Sequence, residues 1–226
     1  MRGSRSIFSD INGVIDLSFK MPITKKRIRN HFTYAWWQYV LLIAVAIFGW
    51  NLLYTTTRYR SPEHLKVEWY GEGFVASDAP KSIDALMVEL QQTLFPDMEE
   101  VTFTSIGYDE TYGDMQLMVW ASAGQGDLYM LTLERFQNLA QGGALLDLQP
   151  YIDDGTLNVE GIDLKNGYVT DNETGKKYLI GIPTDTLTGL EAYGLMPGGM
   201  TLSLLASGGN IENALKLMNW LLDEMR

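Results

Sequence analysis

From Tyr34 to Tyr54 the chain reads YAWWQYVLLIAVAIFGWNLLY, 21 residues without a charge. A folded water-soluble domain would have to bury such a run. As a helix it spans about 31 Å at roughly 1.5 Å per residue, close to the hydrocarbon thickness of a bilayer. Val40 to Trp50 is unbroken apolar sequence, and the amides of Gln38 and Asn51 fall near its two ends. Trp36, Trp37 and Tyr39 flank one side and Trp50 and Tyr54 the other, where amphipathic rings suit the headgroup regions. The cluster Lys25-Lys26-Arg27-Ile28-Arg29 stands just before the span. The positive-inside rule therefore puts residues 1–33 in the cytoplasm and the residues after 54 outside; Arg58 and Arg60 weaken this bias without reversing it. A cleaved signal peptide needs small residues at its cleavage site, and Asn51-Leu52-Leu53-Tyr54-Thr55 has none. The expectation is an uncleaved, single-pass cell-membrane anchor with an extracytoplasmic C-terminal domain.

Charge divides the chain at the same place. Residues 1–33 hold seven Lys/Arg against Asp10 and Asp16, a balance of +5, and the remainder holds 10 basic and 26 acidic residues, a balance of −16. An acidic body of this kind does not suit nucleic acid, whose phosphates demand the opposite sign. The basic tail carries scattered apolar residues between Ile7 and Phe19, which fit either the inner membrane face or a flexible tail. There is no cysteine, and only His31 and His64 among histidines. Disulfides and thiolate chemistry are excluded, and no histidine has a partner at metal-ligand spacing. No cofactor and no metal is expected.

After a polar linker at 55–66 (TTTRYRSPEHLK), strand and helix patterns alternate through 67–226. Val67-Glu68-Trp69-Tyr70 predicts a strand closed by Gly71-Glu72-Gly73. Ser82 to Phe95 predicts a helix with Ile83, Leu86, Met87, Leu90 and Leu94 on one face, stopped by Pro96. Val101–Ile106 predicts a second strand. Asp109–Ala121 predicts a helix interrupted early by Gly113, with Met115, Met118 and Val119 inward. Asp127–Leu131 predicts a third, buried strand. Thr132 and Asn210 stand where N-caps of two further helices would stand. The first carries Leu133, Phe136 and Leu139 and ends at Gly142-Gly143; the last carries Ile211, Ala214, Leu215, Met218 and Leu222. Between them lie a hairpin over Tyr168–Ile182, turning at Asp171–Gly175, and a strand at Met200–Ala206. Such alternation implies an α/β fold, a mostly parallel sheet with helices on both faces.

The phrases in this stretch carry a resemblance. A helix closes on Phe95-Pro96-Asp97 before Val101-Thr102-Phe103. Gly126-Asp127-Leu128-Tyr129-Met130 enters the third strand, and Leu139-Ala140-Gln141-Gly142-Gly143-Ala144-Leu145-Leu146-Asp147-Leu148 follows. Together they resemble the first lobe of the extracytoplasmic solute-binding proteins of ABC importers, the sugar-binding group most closely. Tyr178-Leu179-Ile180-Gly181-Ile182-Pro183 resembles that family's strand at the ligand cleft, and Asn210–Leu222 its late helix. The resemblance implies a periplasmic-binding-protein-like lobe, and it covers about three quarters of the chain. In the family a second lobe, about 100 residues or more at ordinary domain size, separates those last two features. Here only the 15 residues 186–200 intervene, with a Pro197-Gly198-Gly199 turn that reads as a connector. A lone lobe offers half a site, without the closure that excludes water.

By the resemblance, ligand contacts come from loops at the C-terminal strand ends, where open α/β sheets bind ligands. The candidates are Tyr70, Glu72 and Gly73 after strand one, Tyr108 and Asp109 after strand two, Trp120 and Asp127 before strand three, and Pro183 and Asp185. Tyr108, Tyr112 and Trp120 are candidates for stacking on a sugar; Glu72, Asp109 and Asp185 for accepting hydroxyl protons. The plainer reading makes these aromatics core or rim residues and these acids solvated ones. No enzyme is expected. Gly124-Gln125-Gly126 lacks the further glycine of a dinucleotide loop, no Walker lysine follows a glycine run, and adjacent pairs such as Asp153-Asp154 do not face one another across a substrate.

Two functions fit. One is a membrane-anchored solute-binding component working with an ABC transporter permease, with carbohydrate as the ligand. The other is a single-lobe accessory that binds a protein partner as regulator, sensor or scaffold. A solute site would be a concave aromatic pocket at the strand ends. A partner site is expected as a flat apolar patch around Leu187–Met200.

Overall fold

An apolar helix with no core to lie on has to end up exposed or in lipid, and the first element is such a helix. The computed structural model of the protein describes residues 24–73, 79–107, 109–171 and 174–226. Helix α1 (Lys25–Thr57) runs for 33 residues, and Leu42, Phe48 and Trp50 along it are 65%, 71% and 71% exposed. By length and composition its segment Ile28–Thr57 is able to cross a membrane. It continues three residues into the stretch expected as linker. Thr55, Thr56 and Thr57 return their hydroxyls to the carbonyls of Asn51, Leu52 and Leu53, which completes the last turn without capping side chains from elsewhere.

The chain divides after Tyr59 into two units, and the second, Arg60–Arg226, has its own core. Its centre is a five-stranded sheet in the order β2-β1-β3-β7-β6. Strands β1 (Lys66–Glu72), β2 (Glu100–Ile106) and β3 (Leu128–Thr132) are parallel neighbours. Strand β7 (Met200–Leu204) runs against both β3 and the two-residue β6 (Ile182–Pro183). Four of the five strands thus point one way. Parallel neighbours need long crossover connections, which α2 (Ile83–Thr93) and α3 (Glu110–Ser122) supply among β1, β2 and β3, whereas β6 reaches β7 through a short connector and turns back.

Alternation along the strands sorts the side chains onto two faces. Val67, Trp69, Leu128, Met130, Ile182, Leu202 and Leu204 fill one core. It is closed by α2 (Ile83–Thr93) and α6 (Ile211–Glu224). Tyr70, Ile106, Tyr129, Leu131 and Leu205 fill the other. There α3 (Glu110–Ser122) and α4 (Leu133–Gln141) supply Leu117, Ala121, Phe136 and Leu139. Helix α2 starts at Ser82, whose hydroxyl accepts from Ala85 N. A short α5 (Gln149–Asp153) and a hairpin of β4 (Tyr168–Thr170) and β5 (Lys177–Leu179) complete the unit. The hairpin is shorter than the sequence pattern suggests. Ile182 leaves it to join the central sheet.

Three local expectations change in the folded chain. Helix α3 is continuous through Gly113, and its inward residues are Leu117 and Ala121; Met115, Met118 and Val119 are 60%, 68% and 60% exposed. Thr132 makes no cap for α4, because its hydroxyl donates to Glu72 Oε2 at 2.8 Å. Asn210 makes no side-chain cap for α6: its Oδ1 accepts from Asn213 Nδ2 at 2.9 Å, and its amide nitrogen donates to the carbonyls of His64 and Lys66, both at 3.3 Å.

The 15 residues between Asp185 and Thr201 form no lobe. They make a 3-10 helix, Thr188–Tyr193, and a turn. Leu187, Leu190, Tyr193 and Leu195 are all buried in the first core, and Met196 alone among the large apolar residues here is exposed, at 61%. The flat apolar patch expected around Leu187–Met200 is therefore absent from this segment. Its apolar side chains close the molecule's own core under α6.

Candidate functional site

In a sheet whose main strands run parallel, a loop before a strand and a loop after it lie at opposite edges. The expected ligand residues divide by this rule. Glu72 ends β1, Gly73 and Asp109 follow β1 and β2, and Pro183 and Asp185 end or follow β6, all at the C-terminal edge. Trp120 and Asp127 precede β3 and lie at the other edge, with Tyr70 turned toward them. The eight described candidates thus fall at two opposite edges of the sheet. Tyr108 lies outside the described residues.

At the C-terminal edge the central feature is Arg135, which the sequence patterns did not single out. It projects from α4 with its side chain 8% exposed. Its Nη1 donates to Glu72 Oε1 at 2.6 Å and its Nε to Asp114 Oδ1 at 2.5 Å. It also donates to the carbonyls of Gly107 and Asp109, both at 3.3 Å. The other oxygen of Glu72, Oε2, accepts from Thr132 N and Thr132 Oγ1, both at 2.8 Å. Glu72, expected to meet a ligand, thus has both oxygens bonded within the protein. A buried carboxylate requires such partners. Gly113 is the small residue that lets this happen. A Cβ there would meet the Gly107 carbonyl and the guanidinium of Arg135. The one sequence sign of the network was a lone arginine among the apolar positions of α4.

The remaining members of this edge are also engaged. Asp109 Oδ1 accepts from Tyr112 N at 2.9 Å, starting α3. Gly73 takes φ +130°, a backbone region that glycine enters without strain. Pro183 is buried and stands beside Thr201 of β7. Asp185 is exposed and accepts from Gly199 N at 2.9 Å, closing the Pro197-Gly198-Gly199 turn. Strands β3 and β7 lie between β1 and β6. At about 4.8 Å per strand spacing, Glu72 and Pro183 stand roughly 14 Å apart across the sheet, wider than one sugar ring.

At the opposite edge the aromatics form a core cluster. The Tyr70 ring stacks on Tyr129 at 5.4 Å and meets Trp120 edge-on at 4.7 Å. The Tyr129 hydroxyl donates to the Gln125 carbonyl. Burial pushes the Tyr70 hydroxyl up to about 12, with Glu68 adding to the effect, and raises Tyr129 further in the same direction. Asp127 is 6% exposed. Its Oδ2 accepts from Glu68 N at 2.9 Å and its Oδ1 from Asn210 N at 3.2 Å, tying β1 to the start of α6. Burial raises its carboxyl to about 6; the two backbone hydrogen bonds oppose that shift and Glu68 and Glu63 reinforce it. Among the described residues, no group of three or more His, Asp or Glu side chains is placed to hold a metal.

Two concave surfaces lie on either side of α4. A groove of about 670 Å³ runs between α3 and α4, floored by Leu117, Ala121 and Leu139, with Met118 on its wall. A second of about 560 Å³ separates α4 from the β4–β5 hairpin and holds Tyr178, Asp147 and Asp171.

No family model matches the chain, and no curated protein matches it. Among solved structures it is similar to a family 1 extracellular solute-binding protein from Alicyclobacillus acidocaldarius, with 19% identity and a TM-score of 0.40 over 55% of this chain and 29% of that one. It is similar to the galacto-N-biose-/lacto-N-biose I-binding protein of an ABC transporter from Bifidobacterium longum, at 13% identity and a TM-score of 0.41, again over 55% and 29%. The N-glycan transport solute-binding protein of Streptococcus pneumoniae, solved with Man5GlcNAc, has 21% identity and a TM-score of 0.37 over 53% and 24%. The chain therefore spans less than a third of the length of each of these solute-binding proteins.

Proposed function

We propose that this protein is a membrane-anchored, extracytoplasmic, solute-binding-protein-like component of an ABC-type uptake system, and that its single lobe docks onto another membrane protein instead of enclosing a solute. The order of family-like phrases from Val67 to Pro183 supports the first part. The length and apolar composition of α1 support the anchor, and the Lys25–Arg29 cluster supports its orientation. The observation that carries the docking reading is the internal bonding of Glu72: both of its oxygens are engaged by Arg135 and Thr132, at the edge where a solute would be held.

A second reading, direct carbohydrate binding, draws support from the groove beside the hairpin, where Tyr178 offers an aromatic ring near Asp147 and Asp171. Calorimetry separates the two. The full chain in lipid nanodiscs is titrated with mono- and oligosaccharides, and the docking reading expects no heat of binding. Saturable heat with any saccharide overturns it in favour of the second. Gentle solubilisation of the host's own membranes is expected to bring a permease out with the full chain, and a chain recovered alone counts against the transporter assignment.

A further inference from the structure

Helix α3 is apolar on two sides, and the fold uses only one. Leu117 and Ala121 face the sheet, while Tyr112, Met115, Met118 and Val119 are 75%, 60%, 68% and 60% exposed. Positions 112, 115 and 119 follow the three- and four-residue steps that align side chains along one helix face, and 118 borders it. Single exposed apolar residues are ordinary on a protein surface, but a contiguous stripe marks an interaction site. This stripe also continues into an apolar concavity, because Met118 walls the 670 Å³ groove between α3 and α4. A ridge beside a groove is the geometry that accepts an amphipathic helix. Methionine side chains adapt to the shape of what they meet.

Charge selects the occupant. Helix α3 contains no Lys or Arg. Asp114 on α3 lines the groove with its side chain 54% exposed, and Glu134 on α4 is exposed. The one arginine lining the groove, Arg135, is held by Glu72 and Asp114. Across Arg60–Arg226 there are 26 acidic residues and 9 basic ones. A second copy of the chain would bring acid against acid, which opposes pairing. A helix with basic flanks meets the opposite sign.

Building on the docking reading above, we infer that the exposed face of α3 and the adjoining α3–α4 groove receive a helix of another protein, one with apolar residues at three- and four-residue spacing and lysine or arginine at its flanks.

The test uses the full chain in zwitterionic nanodiscs and three labelled 18-residue peptides. One is an amphipathic Leu/Lys helix, one has the same composition scrambled to destroy the apolar face, and one replaces Lys by Glu. After subtraction of binding to empty discs, the first is expected to bind at least tenfold more tightly than the other two. Met115→Asp with Met118→Asp should lose that binding at least tenfold. Tyr168→Asp, at an exposed residue on the hairpin on the other side of α4, should leave it unchanged. Met115→Gln with Met118→Gln serves if the aspartate variant does not fold, and should weaken binding in the same direction. Equal binding of the scrambled peptide, or full binding by the Met115/Met118 variants, overturns the inference. So does a self-association that those variants abolish, which would make the occupant a second copy. Saccharide heat would instead sink the docking reading itself. Peptide failure with silent saccharides sinks only the partner chemistry.

Discussion

Arg135 Nη1 stands 2.6 Å from Glu72 Oε1, with both side chains more than nine-tenths buried. The pair joins α4 to the end of β1, and the rest of the guanidinium holds the loop that leads into α3. The C-terminal end of β1 is thereby locked to α4 by the protein's own charges. Removing Arg135 leaves Glu72 without an ion partner in the core, and removing Glu72 leaves Arg135 with only the half-exposed Asp114.

Arg135→Ala or Glu72→Ala should therefore destabilise the lobe by about 3–5 kcal/mol. Asp114, whose side chain is 54% exposed, contributes less; Asp114→Ala should cost under about 1 kcal/mol. Urea unfolding of the full chain followed by tryptophan fluorescence measures both. An Arg135→Ala protein as stable as Asp114→Ala would contradict the lock.

Gly113→Ala sets two effects against each other. Alanine is the better helix former by about 1 kcal/mol. The added methyl would, however, meet the Gly107 carbonyl and Arg135. Backbone and a pinned guanidinium cannot yield cheaply, so a net loss of about 1–3 kcal/mol is expected by the same unfolding measurement.

The raised carboxyl of Asp127, at about 6, has a definite sign. Between the ordinary carboxylate range and about 6 the folded state holds a proton that the unfolded state has released. The contribution of Asp127 to stability therefore falls as pH rises from about 4 to about 6, and is level above that. Asp127→Asn cannot release this proton. The stability difference between wild type and variant should thus slope through that window and flatten above it, which unfolding curves from pH 4 to 8 would show. A flat difference throughout would refute the assignment.

Polar replacement of the α3 stripe should leave the fold alone. Met115→Gln and Val119→Gln remove exposed side chains with no core partners, so stability should change by no more than about 0.5 kcal/mol. Urea unfolding of the full chain reads that difference. A loss of several kcal/mol would mean that the stripe is part of the core.

The anchor reading predicts that a phosphatase active only outside the cytoplasm is active when fused after Arg226 and silent when fused after Lys20. Ala44→Arg, near the centre of the apolar run, should disfavour insertion by about 2.5–3.5 kcal/mol, read as loss of the chain from the membrane fraction.

Much of the fold was legible because its signals are local and repeated. The faces of α2 and α6 follow from 3–4-residue spacing, and Val67, Trp69, Leu128 and Met130 from strand alternation. Helix α3 was misread for a physical reason. With apolar residues on both sides, periodicity cannot say which side meets the sheet. The caps failed for another. Thr132 and Asn210 have the side chains that cap helices, but the Thr132 hydroxyl is turned to Glu72 and the Asn210 oxygen accepts from Asn213 Nδ2, with its amide held by the carbonyls of His64 and Lys66. Arg135 was missed because its partners are 21 and 63 residues away.

By itself the sequence determined the uncharged run that α1 carries, the charge division at residue 33 and the α/β order, since each depends on composition or short-range period. Only the tertiary structure decided which described candidate residues share an edge, that the carboxylates of Glu72 and Asp127 find partners within the protein, and that α3 leaves an apolar face uncovered. Those depend on strand order and on which groups compete for one hydrogen bond, and neither is written in any single stretch of chain.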